Sequence, residues 1–376
     1  DSQPPNIVLF FVDDMGWQDT SVPFWDQLTD FNKIYKTPHM ERLAKKGVKF
    51  TNAYATPVCS PTRVSLMTGM NAARHRVTNW TLKPDQKQPM ELNHPSLEFP
   101  DWNYNGIGLD PFTPNTAFAK PLPQLLSDNG YYTIHAGKAH FGAIGYPSSN
   151  PLNLGFKVNI AGHAAGAPES YLGRENFGNG KEGKEVWAVP GLEKYHGQDL
   201  FLTEALTQEV LTALDKPILE KQPFFIYFAL YGIHTPLMAN DRLVEPYREM
   251  GMEEPEARYA SMIESMDEAL GNVLNYLEEN DQEDNTVILF MSDNGGLSAV
   301  ARGGEKHTHN LPLKSGKGSI YEGGIRVPML AYWPGKTQEE TVNSTPLIIE
   351  DFFPTILEIA QIEAGEIPQT VDGKSF

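Results

Sequence analysis

The sequence predicts an α/β fold in which a large, mostly parallel β-sheet is flanked by helices. Three observations carry this prediction. Short apolar segments that suit buried strands recur along the chain, segments with helical periodicity lie between them, and polar residues follow where the strands end. Strands that alternate with helices in this way are typical of doubly wound domains.

Four segments are predicted to be strands because they are rich in β-branched or aromatic residues and are followed by polar residues. They are Ile7–Val12, Tyr131–His135, Phe224–Leu230 and Val287–Met291. No apolar run reaches about 18 residues, so the sequence predicts no transmembrane helix.

Two segments between the strands are predicted to be helices. Thr37–Lys46 begins with Thr-Pro, a capping residue followed by a proline that suits a first turn. In Glu256–Glu279, apolar side chains that include Met262 and Met266 recur every three or four residues. This spacing indicates an amphipathic helix packed on the sheet, and we interpret its methionines as core residues rather than a cofactor site.

The composition fits a large globular protein and excludes several classes of function. The 376 residues allow one large domain or two to three small ones. The net charge of −18 disfavours a general nucleic-acid binder, which needs a basic face, and a polyanionic ligand would have to meet a local basic pocket. The single cysteine, Cys59, excludes an intrachain disulfide and a cysteine-based zinc cluster. The chain begins at Asp1 rather than Met, which suits a signal-cleaved, exported protein or a trimmed chain.

Carboxylate and amide side chains follow two of the predicted strands. Asp13 and Asp14 come directly after the first strand, and Asp293 and Asn294 follow the last. The carboxyl ends of such strands are where α/β sheets bind ligands, and adjacent carboxylates repel unless a cation relieves them. An all-oxygen set selects Ca²⁺ or Mg²⁺ over zinc or copper, although Asp, Asn and Gly also favour ordinary turns.

The cysteine lies at the predicted start of another helix. Ser60 suits the cap and Pro61 the first turn of a helix that runs toward Gly69. Free N–H groups and the helix dipole favour an anion at this end, and Arg63, one turn into the helix, can hold that anion or its nucleophile. A buried inert cysteine and a reactive thiolate at Cys59 are the alternatives.

The segment Cys59-Ser60-Pro61-Thr62-Arg63 resembles the Cys-x-Pro-x-Arg signature of the type I, formylglycine-dependent sulfatases, which belong to the alkaline phosphatase superfamily. Other motifs of that family are matched in order along the chain. They are Asp13-Asp14-Met15-Gly16, Gly137-Lys138-Ala139-His140, Gly232-Ile233-His234-Thr235-Pro236, Ser292-Asp293-Asn294-Gly295, Gly316-Lys317-Gly318 and Tyr321–Pro328. The resemblance runs from about Asn6 to Phe376 and is to exported bacterial carbohydrate sulfatases and arylsulfatases.

The resemblance implies an alkaline phosphatase-like fold, with residues 1–376 forming the catalytic domain. Long loop insertions are expected at about residues 80–120 and 141–200. The small C-terminal subdomain that is usual in the family is largely absent from this chain and is expected beyond Phe376. The resemblance also implies a periplasmic or secreted location, and the oxidation of Cys59 by a separate formylglycine-generating maturation enzyme.

The resemblance also gives each site residue an expected role. The calcium ligands, with Mg²⁺ as the alternative ion, are expected to be Asp13, Asp14, Asp293 and Asn294. The catalytic residues are expected to be Cys59, Arg63, Lys138, His140, His234 and Lys317. One hydroxyl of the hydrated formylglycine would attack sulfur, oriented by Arg63 and Lys138. His140 is the expected base for releasing sulfate, while His234 and Lys317 assist the leaving oxygen.

Substrate contacts are expected in the two long loops, where aromatic and polar side chains suit recognition of a sugar. The candidates are Trp80, His94, Trp102, His163, Tyr171, Arg174, Trp187 and His196. The segment Gly162–Tyr171 resembles one found in bacterial exported carbohydrate sulfatases, which favours a sulfated saccharide as the substrate. The alternatives are a phosphoester or phosphonate monoester hydrolase of the same superfamily and an inactive glycan-binding homologue.

Overall fold

The structure is a computed structural model that describes residues 3–87, 94–98, 100–298 and 306–376. Its strands are β1 (Asn6–Val12), β2 (Val48–Tyr54), β3 (Ile107–Gly108), β4 (Ala117–Phe118), β5 (Tyr132–Gly137), β6 (Val158–Ile160), β7 (Phe224–Ala229), β8 (Thr286–Ser292), β9 (Arg326–Tyr332), β10 (Thr341–Asn343) and β11 (Leu347–Ile348). Its helices are α1 (Asp30–Ile34), α2 (Pro38–Lys46), α3 (Cys59–Thr68), α4 (Ala72–His75), α5 (Leu122–Asp128), α6 (Leu202–Leu219), α7 (Glu245–Glu249), α8 (Glu254–Glu279), α9 (Glu322–Ile325) and α10 (Phe352–Ile359).

Among the described residues, nine strands form one sheet in the order β10-β2-β9-β8-β1-β7-β5-β6, with β11 beside β2. The pairs β8–β1, β1–β7, β7–β5 and β5–β6 are parallel, whereas β9 runs antiparallel to both β8 and β2. Because the two reversals cancel, β2 points in the same direction as β8. The carboxyl ends of β2, β8, β1, β7 and β5 therefore meet at one side of the sheet, which we call the carboxyl edge.

The predicted mostly parallel α/β sheet is confirmed, and so are its predicted strands and helices. The four predicted strands are β1, β5, β7 and β8, each with bounds within two residues of the prediction. The predicted helices are α2, α3 and α8, of which α8 begins two residues before Glu256. The remaining strands were not predicted, because they are shorter or are not wholly apolar.

Both faces of the sheet are buried, which explains why its central strands are continuously apolar. Successive residues of β1 point to opposite faces. Val8 and Phe10 lie in one hydrophobic cluster with Met262 and Met266 of α8, as predicted for a core role of these methionines. Leu9 lies in a second cluster on the other face, with residues of α3, α5 and α10.

The two stretches expected to be insertions carry little regular structure. The described part of residues 80–120 contains the short pair β3 and β4, and residues 88–93 and 99 lie outside the described residues. Residues 141–200 contain β6 and several single 3₁₀ turns. None of the described helices combines the length and the apolar character that crossing a bilayer requires.

Candidate active site

The carboxyl edge brings together motifs that are far apart in the sequence. Asp13 and Asp14 directly follow β1. Asp293 and Asn294 directly follow β8, the parallel neighbour of β1. On the other side of β1, strand β7 leads into the turn that carries His234. The two pairs of predicted metal ligands are therefore adjacent because their strands are adjacent.

The three carboxylates form a buried cluster. Asp13, Asp14 and Asp293 each offer an oxygen within 4.8 Å of the others. Their residues are at most 2% exposed. The backbone N–H of Asp14 donates to Asp293 Oδ1 at 3.1 Å, and Asp14 has a φ of 61°, which is uncommon for a residue with a side chain. The turns after β1 and β8 are thus joined at the cluster itself.

This cluster fits a hard divalent cation. Two oxygens of the predicted ligands, Asp13 Oδ1 in the cluster and Asn294 Oδ1 next to Asp293, are buried and have no hydrogen-bond partner among the described residues. Burial and the neighbouring carboxylate of Asp293 raise the pKa of Asp13 well above its ordinary value. Unpaired buried oxygens are costly, and an ion that takes only oxygen ligands would satisfy both of them. The donor set therefore agrees with the predicted Ca²⁺ or Mg²⁺ site.

Arg63 connects α3 to the carboxylates. Its Nε and Nη2 donate to Asp293 Oδ2 at 3.2 and 2.9 Å, and its Nη1 donates to the Lys138 carbonyl at 3.1 Å and to the Tyr227 hydroxyl at 3.2 Å. Burial opposes the charge of Arg63, but Tyr227, Asp293 and Asp13 raise its pKa above the ordinary value. Arg63 therefore remains a cation with a fixed orientation.

Two lysines complete the charge balance of the cluster. Lys138 Nζ lies 2.6 Å from Asp13 Oδ2, and Lys317 Nζ lies 2.7 and 2.9 Å from the two oxygens of Asp14. Burial opposes the charge of Lys317, but Asp14 raises its pKa above the ordinary value. With Arg63, three formal positive charges meet three negative ones. A divalent cation would leave the site with a net positive charge, which suits an anionic ester.

Gly137, the last residue of β5, sets the position of Lys138. It has a φ of +97°, and a Cβ at this residue would lie 1.8 Å from the Ala229 carbonyl oxygen of β7. We expect Gly137→Ala to lower the free energy of unfolding by about 2–4 kcal/mol, because backbone strain and a backbone clash add together.

The matched control is Gly130→Ala. Gly130 has a φ of +92°, with nothing within 4 Å of the added Cβ, so this variant isolates the backbone strain. Chemical denaturation of both variants measures the difference. Equal losses of stability would contradict the expected clash at Gly137.

The two predicted catalytic histidines have defined tautomers. His140 Nε2 lies 2.7 Å from the Thr81 carbonyl oxygen and must donate to it, which leaves the buried Nδ1 with its lone pair. Burial and the cations Lys138 and Arg63 lower the pKa of His140 well below its ordinary value. A neutral imidazole with one free lone pair has the chemistry required of a base.

His234 has the opposite tautomer to that of His140. Its Nδ1 lies 2.6 Å from the Thr235 carbonyl oxygen, so Nδ1 carries the proton and Nε2 faces Asp14 Oδ2 at 3.7 Å. Burial and Lys317 lower the pKa of His234 to about 3. His234 can donate a proton from Nε2 only as an imidazolium, and a bound anion next to it would raise its pKa.

Cys59 is the first residue of α3 and is 3% exposed. It is one of the groups that raise the pKa of both Arg63 and Lys317, which places its sulfur within electrostatic reach of these cations. The prediction that Ser60 caps the helix was wrong. Val58 is the N-cap, and Ser60 lies in the first turn, where its Oγ accepts from the Thr81 N–H at 3.1 Å.

Several of the candidate substrate residues are committed to other contacts. Tyr171 is fully buried and its hydroxyl donates to the carbonyls of Tyr231 and His234, so it supports the site rather than facing a ligand. Trp102 is 4% exposed. Arg174 pairs at the surface with two aspartates, Asp199 and Asp241.

The other candidates differ in their relation to the site. His163 is directly linked to it, since its carbonyl accepts from the His140 N–H at 3.3 Å. His196 packs edge-on against Phe177, with ring centroids 6.2 Å apart. Trp80 and Trp187 are half-buried and His94 is exposed.

Tyr227 is a site residue that the sequence did not predict; it lies in β7 and accepts a hydrogen bond from Arg63. Its signal in the sequence is weak, because a tyrosine within an apolar strand is most often a core residue. Only the neighbouring strands and α3 show that its hydroxyl faces the site.

Comparison with known proteins agrees with the resemblance to sulfatases that the sequence motifs indicate. Residues 5–362 match the family model of the sulfatases. A sulfatase of Formosa agariphila is 27% identical, over 100% of this chain and 72% of its own length. Human N-acetylgalactosamine-6-sulfatase is 30% identical, over 95% of this chain and 62% of its own length. The chain thus spans about two thirds of the length of these relatives.

A solved structure is similar in both fold and sequence. The crystal structure of Ps i-CgsB in complex with k-i-k-neocarrahexaose has a TM-score of 0.74 and 30% sequence identity, and the match covers 99% of this chain and 75% of that one. The expected alkaline phosphatase-like fold is therefore confirmed. Together with the family match over residues 5–362, this similarity shows that the chain belongs to the sulfatase family.

Proposed function

We propose that this protein hydrolyses the sulfate ester of a saccharide, with a formylglycine derived from Cys59 and a bound Ca²⁺. One observation carries the proposal: three buried carboxylates and three buried cations converge beside the N-terminus of α3, where Cys59 lies. A sulfate ester is an anion, so its hydrolysis requires a site that neutralises charge while it presents a nucleophile. The buried cations and the position of Cys59 at the start of α3 support a site of this kind.

The metal ligands in this proposal are Asp13, Asp14, Asp293 and Asn294. A bound Ca²⁺ supplies a Lewis acid that polarises the ester's sulfate group. Ca²⁺ is preferred to Mg²⁺ because it tolerates an irregular set of oxygen ligands. Asp293 also accepts two hydrogen bonds from Arg63, which holds its carboxylate in place.

The nucleophile is proposed to form at Cys59. Formylglycine, as its hydrate, supplies a hydroxyl that can attack sulfur. Arg63 and Lys138 are the buried cations that orient this group and stabilise its negative charge, and His140 accepts a proton at Nδ1 when sulfate is released. The formylglycine-generating enzyme that modifies Cys59 is the proposed partner protein.

Lys317 and His234 are proposed to act on the departing oxygen. When the S–O bond breaks, negative charge develops on that oxygen, and a sugar alkoxide needs a proton or a close cation to leave. Lys317 is held as an ammonium by Asp14. His234 can contribute as an imidazolium once the anionic ester lies beside it.

This role predicts a difference between two kinds of substrate. A nitrophenol is acidic and leaves without much help, whereas a sugar hydroxyl does not. We expect Lys317→Ala and His234→Ala to lower kcat/KM for a sugar sulfate by about two to four orders of magnitude, and for nitrophenyl sulfate much less. Arg63→Ala is the control, because it acts on the nucleophile and should lower kcat/KM for both substrates alike.

The measurement is kcat/KM from steady-state kinetics of the three variants on the two substrates. Equal losses on both substrates for Lys317→Ala and His234→Ala would remove the leaving-group role. These residues would then belong to general sulfate binding.

A saccharide is the proposed substrate class for two reasons. Relatives named for sulfated sugars are similar along almost the whole chain, and the Ps i-CgsB structure contains an oligosaccharide. His163 is the proposed substrate contact with the most direct structural link to the site, through its hydrogen bond to His140. Trp102, Arg174 and His196 are proposed with less structural support, since packing or ion pairs occupy them.

The experiment that tests the proposed function is a desulfation panel. Protein produced with the maturation enzyme is incubated with defined sulfated mono- and oligosaccharides, and released sulfate is measured by ion chromatography. Matched phosphate esters are the second arm. Faster release of phosphate than of sulfate would favour a phosphoester hydrolase, and saccharide binding without release of either anion would favour an inactive glycan-binding protein.

A further inference from the structure

One buried asparagine ties the segment that carries Lys317 to the turn after β8. Asn310 is 3% exposed. Its Oδ1 accepts from the Gly296 N–H at 2.9 Å, while its Nδ2 donates to the Gly296 carbonyl at 2.9 Å and to the Ser315 carbonyl at 3.2 Å. Asn310 therefore pairs with both backbone groups of Gly296 and closes residues 310–315 into a compact loop.

The same carbonyl also fixes the backbone of Lys317. The Lys317 N–H donates to the Gly296 carbonyl at 3.0 Å, and the Lys317 ammonium reaches Asp14 at 2.7 Å. Gly296 lies two residues after the metal-ligand candidate Asn294. The lysine is thus anchored at an acceptor that Asn310 also binds.

Asp19 binds the segment that precedes this loop from the β1 side. It is 3% exposed, and it accepts from the Gly16 N–H at 2.7 Å and from the hydroxyls of Tyr259 and Thr308 at 2.5 and 2.8 Å. A Cβ on Gly16 would lie 2.4 Å from Asn310 Oδ1 and 2.6 Å from Asp19 Oδ2. The two side chains therefore meet over the turn after β1, close to the carboxylate cluster.

We infer that Asn310 is a positioning residue for Lys317. By binding Gly296 and Ser315 it holds the Lys317 ammonium against Asp14, where the departing oxygen of the ester is expected, so the inference rests on the proposed function. An amide suits this position because it needs a donor and an acceptor together. Asn310 also has a φ of 56°, a conformation that Asn tolerates better than most residues.

The test is a double-mutant cycle between Asn310 and Lys317. Asn310→Gly removes the amide and keeps a residue that adopts positive φ easily. We expect it to lower kcat/KM on the fastest sugar sulfate of the panel by about 10- to 100-fold, as is typical when a supporting hydrogen bond is lost, and on nitrophenyl sulfate much less. In the Lys317→Ala background it should cause no further loss, because the lysine that it positions is absent.

A matched control separates positioning from a general loss of stability. Asn240 is equally buried at 3% exposed. Its side chain also makes three hydrogen bonds, which are to Glu204, Arg242 and Ser265. We expect Asn240→Ala to lower the melting temperature and to leave the ratio of kcat/KM for the sugar sulfate to kcat/KM for nitrophenyl sulfate unchanged. Any effect of Asn240→Ala on kcat/KM should multiply with that of Lys317→Ala.

A second variant keeps the test decisive if Asn310→Gly folds poorly. Asn310→Asp retains the acceptor for the Gly296 N–H and loses both donors, so it should give the same coupling to Lys317→Ala. Losses that multiply in the double variants would overturn the inference.

The outcomes also separate this inference from the proposed function. If Lys317→Ala lowers kcat/KM equally for both substrates and the coupling to Asn310 persists, the leaving-group role fails and the positioning role stands. If Lys317→Ala changes kcat/KM for neither substrate, both the leaving-group role of Lys317 and the positioning role of Asn310 are overturned.

Discussion

Cys59→Ala should abolish turnover of every sulfate ester while the protein still folds. The sulfur lies at the start of α3, near Arg63 and Lys317, and neither of these cations can replace a nucleophile. Loss of the nucleophile in hydrolases that form covalent intermediates costs about 10⁶-fold in kcat, so we expect kcat/KM to fall by at least about 10⁴-fold. Removing one small buried atom should lower the free energy of unfolding by about 1 kcal/mol.

The control for this prediction is the unchanged sequence produced without the maturation enzyme. Its Cys59 keeps its thiol, so it should be as inactive as Cys59→Ala and should melt at the temperature of the modified protein. Mass spectrometry of the peptide that contains Cys59 distinguishes the two forms. Near-native activity of Cys59→Ala, or of the unmodified protein, would exclude the formylglycine nucleophile.

Removal of the metal should have the second largest effect. Without a cation, Asp13 Oδ1 and Asn294 Oδ1 are unpaired and three carboxylates lie within 4.8 Å of one another. A Lewis acid contributes several kcal/mol to a transition state of this kind, so chelation should lower kcat/KM by about 10³-fold or more. The melting temperature should fall as well, because a ligand at about 100 times its Kd stabilises the folded state by about 2.7 kcal/mol.

The variant that tests the same site is Asp14→Asn, and its matched control is Asp267→Asn. Asp267 is also buried, but it accepts from the N–H groups of His39 and Met40 at the start of α2. Both variants should lower the melting temperature, yet only Asp14→Asn should lose the rise in melting temperature that we expect from added Ca²⁺. Stabilisation by zinc in place of Ca²⁺, or no response of the unmutated protein to chelation, would contradict an oxygen-ligand site.

The central strands and the ligand-bearing turns could be predicted because both depend on local sequence. A strand buried on both faces is apolar along its interior, as Ile7–Val12 of β1 and Val287–Met291 of β8 are, and polar residues at its end mark the place where it leaves the core. Parallel neighbours then bring Asp13 and Asp293 together without further information. For this reason the proposed metal site is the part of the site that sequence reasoning describes best.

Features that depend on distant packing could not be predicted in this way. The antiparallel direction of β9 is set by its pairing with β2 and β8, and nothing within Arg326–Tyr332 specifies it. Tyrosine is a residue type that suits sugar binding, but the hydroxyl of Tyr171 donates to two backbone carbonyls in the core. Ser60 is a residue type that often caps helices, but the N-cap is Val58, so the helix begins two residues earlier than predicted.

The adjacency of β1 and β8 has a consequence for biosynthesis. The backbone of Asp14 binds Asp293, 279 residues later in the chain. At a synthesis rate of about 5–20 residues per second, the first strand emerges roughly 15 to 55 s before its partner. Until β7 emerges, β1 is an apolar strand with two open edges, and its β8 edge stays open until β8 follows, which favours pairing with other chains. Folding of this protein should therefore be limited by late closure of the sheet.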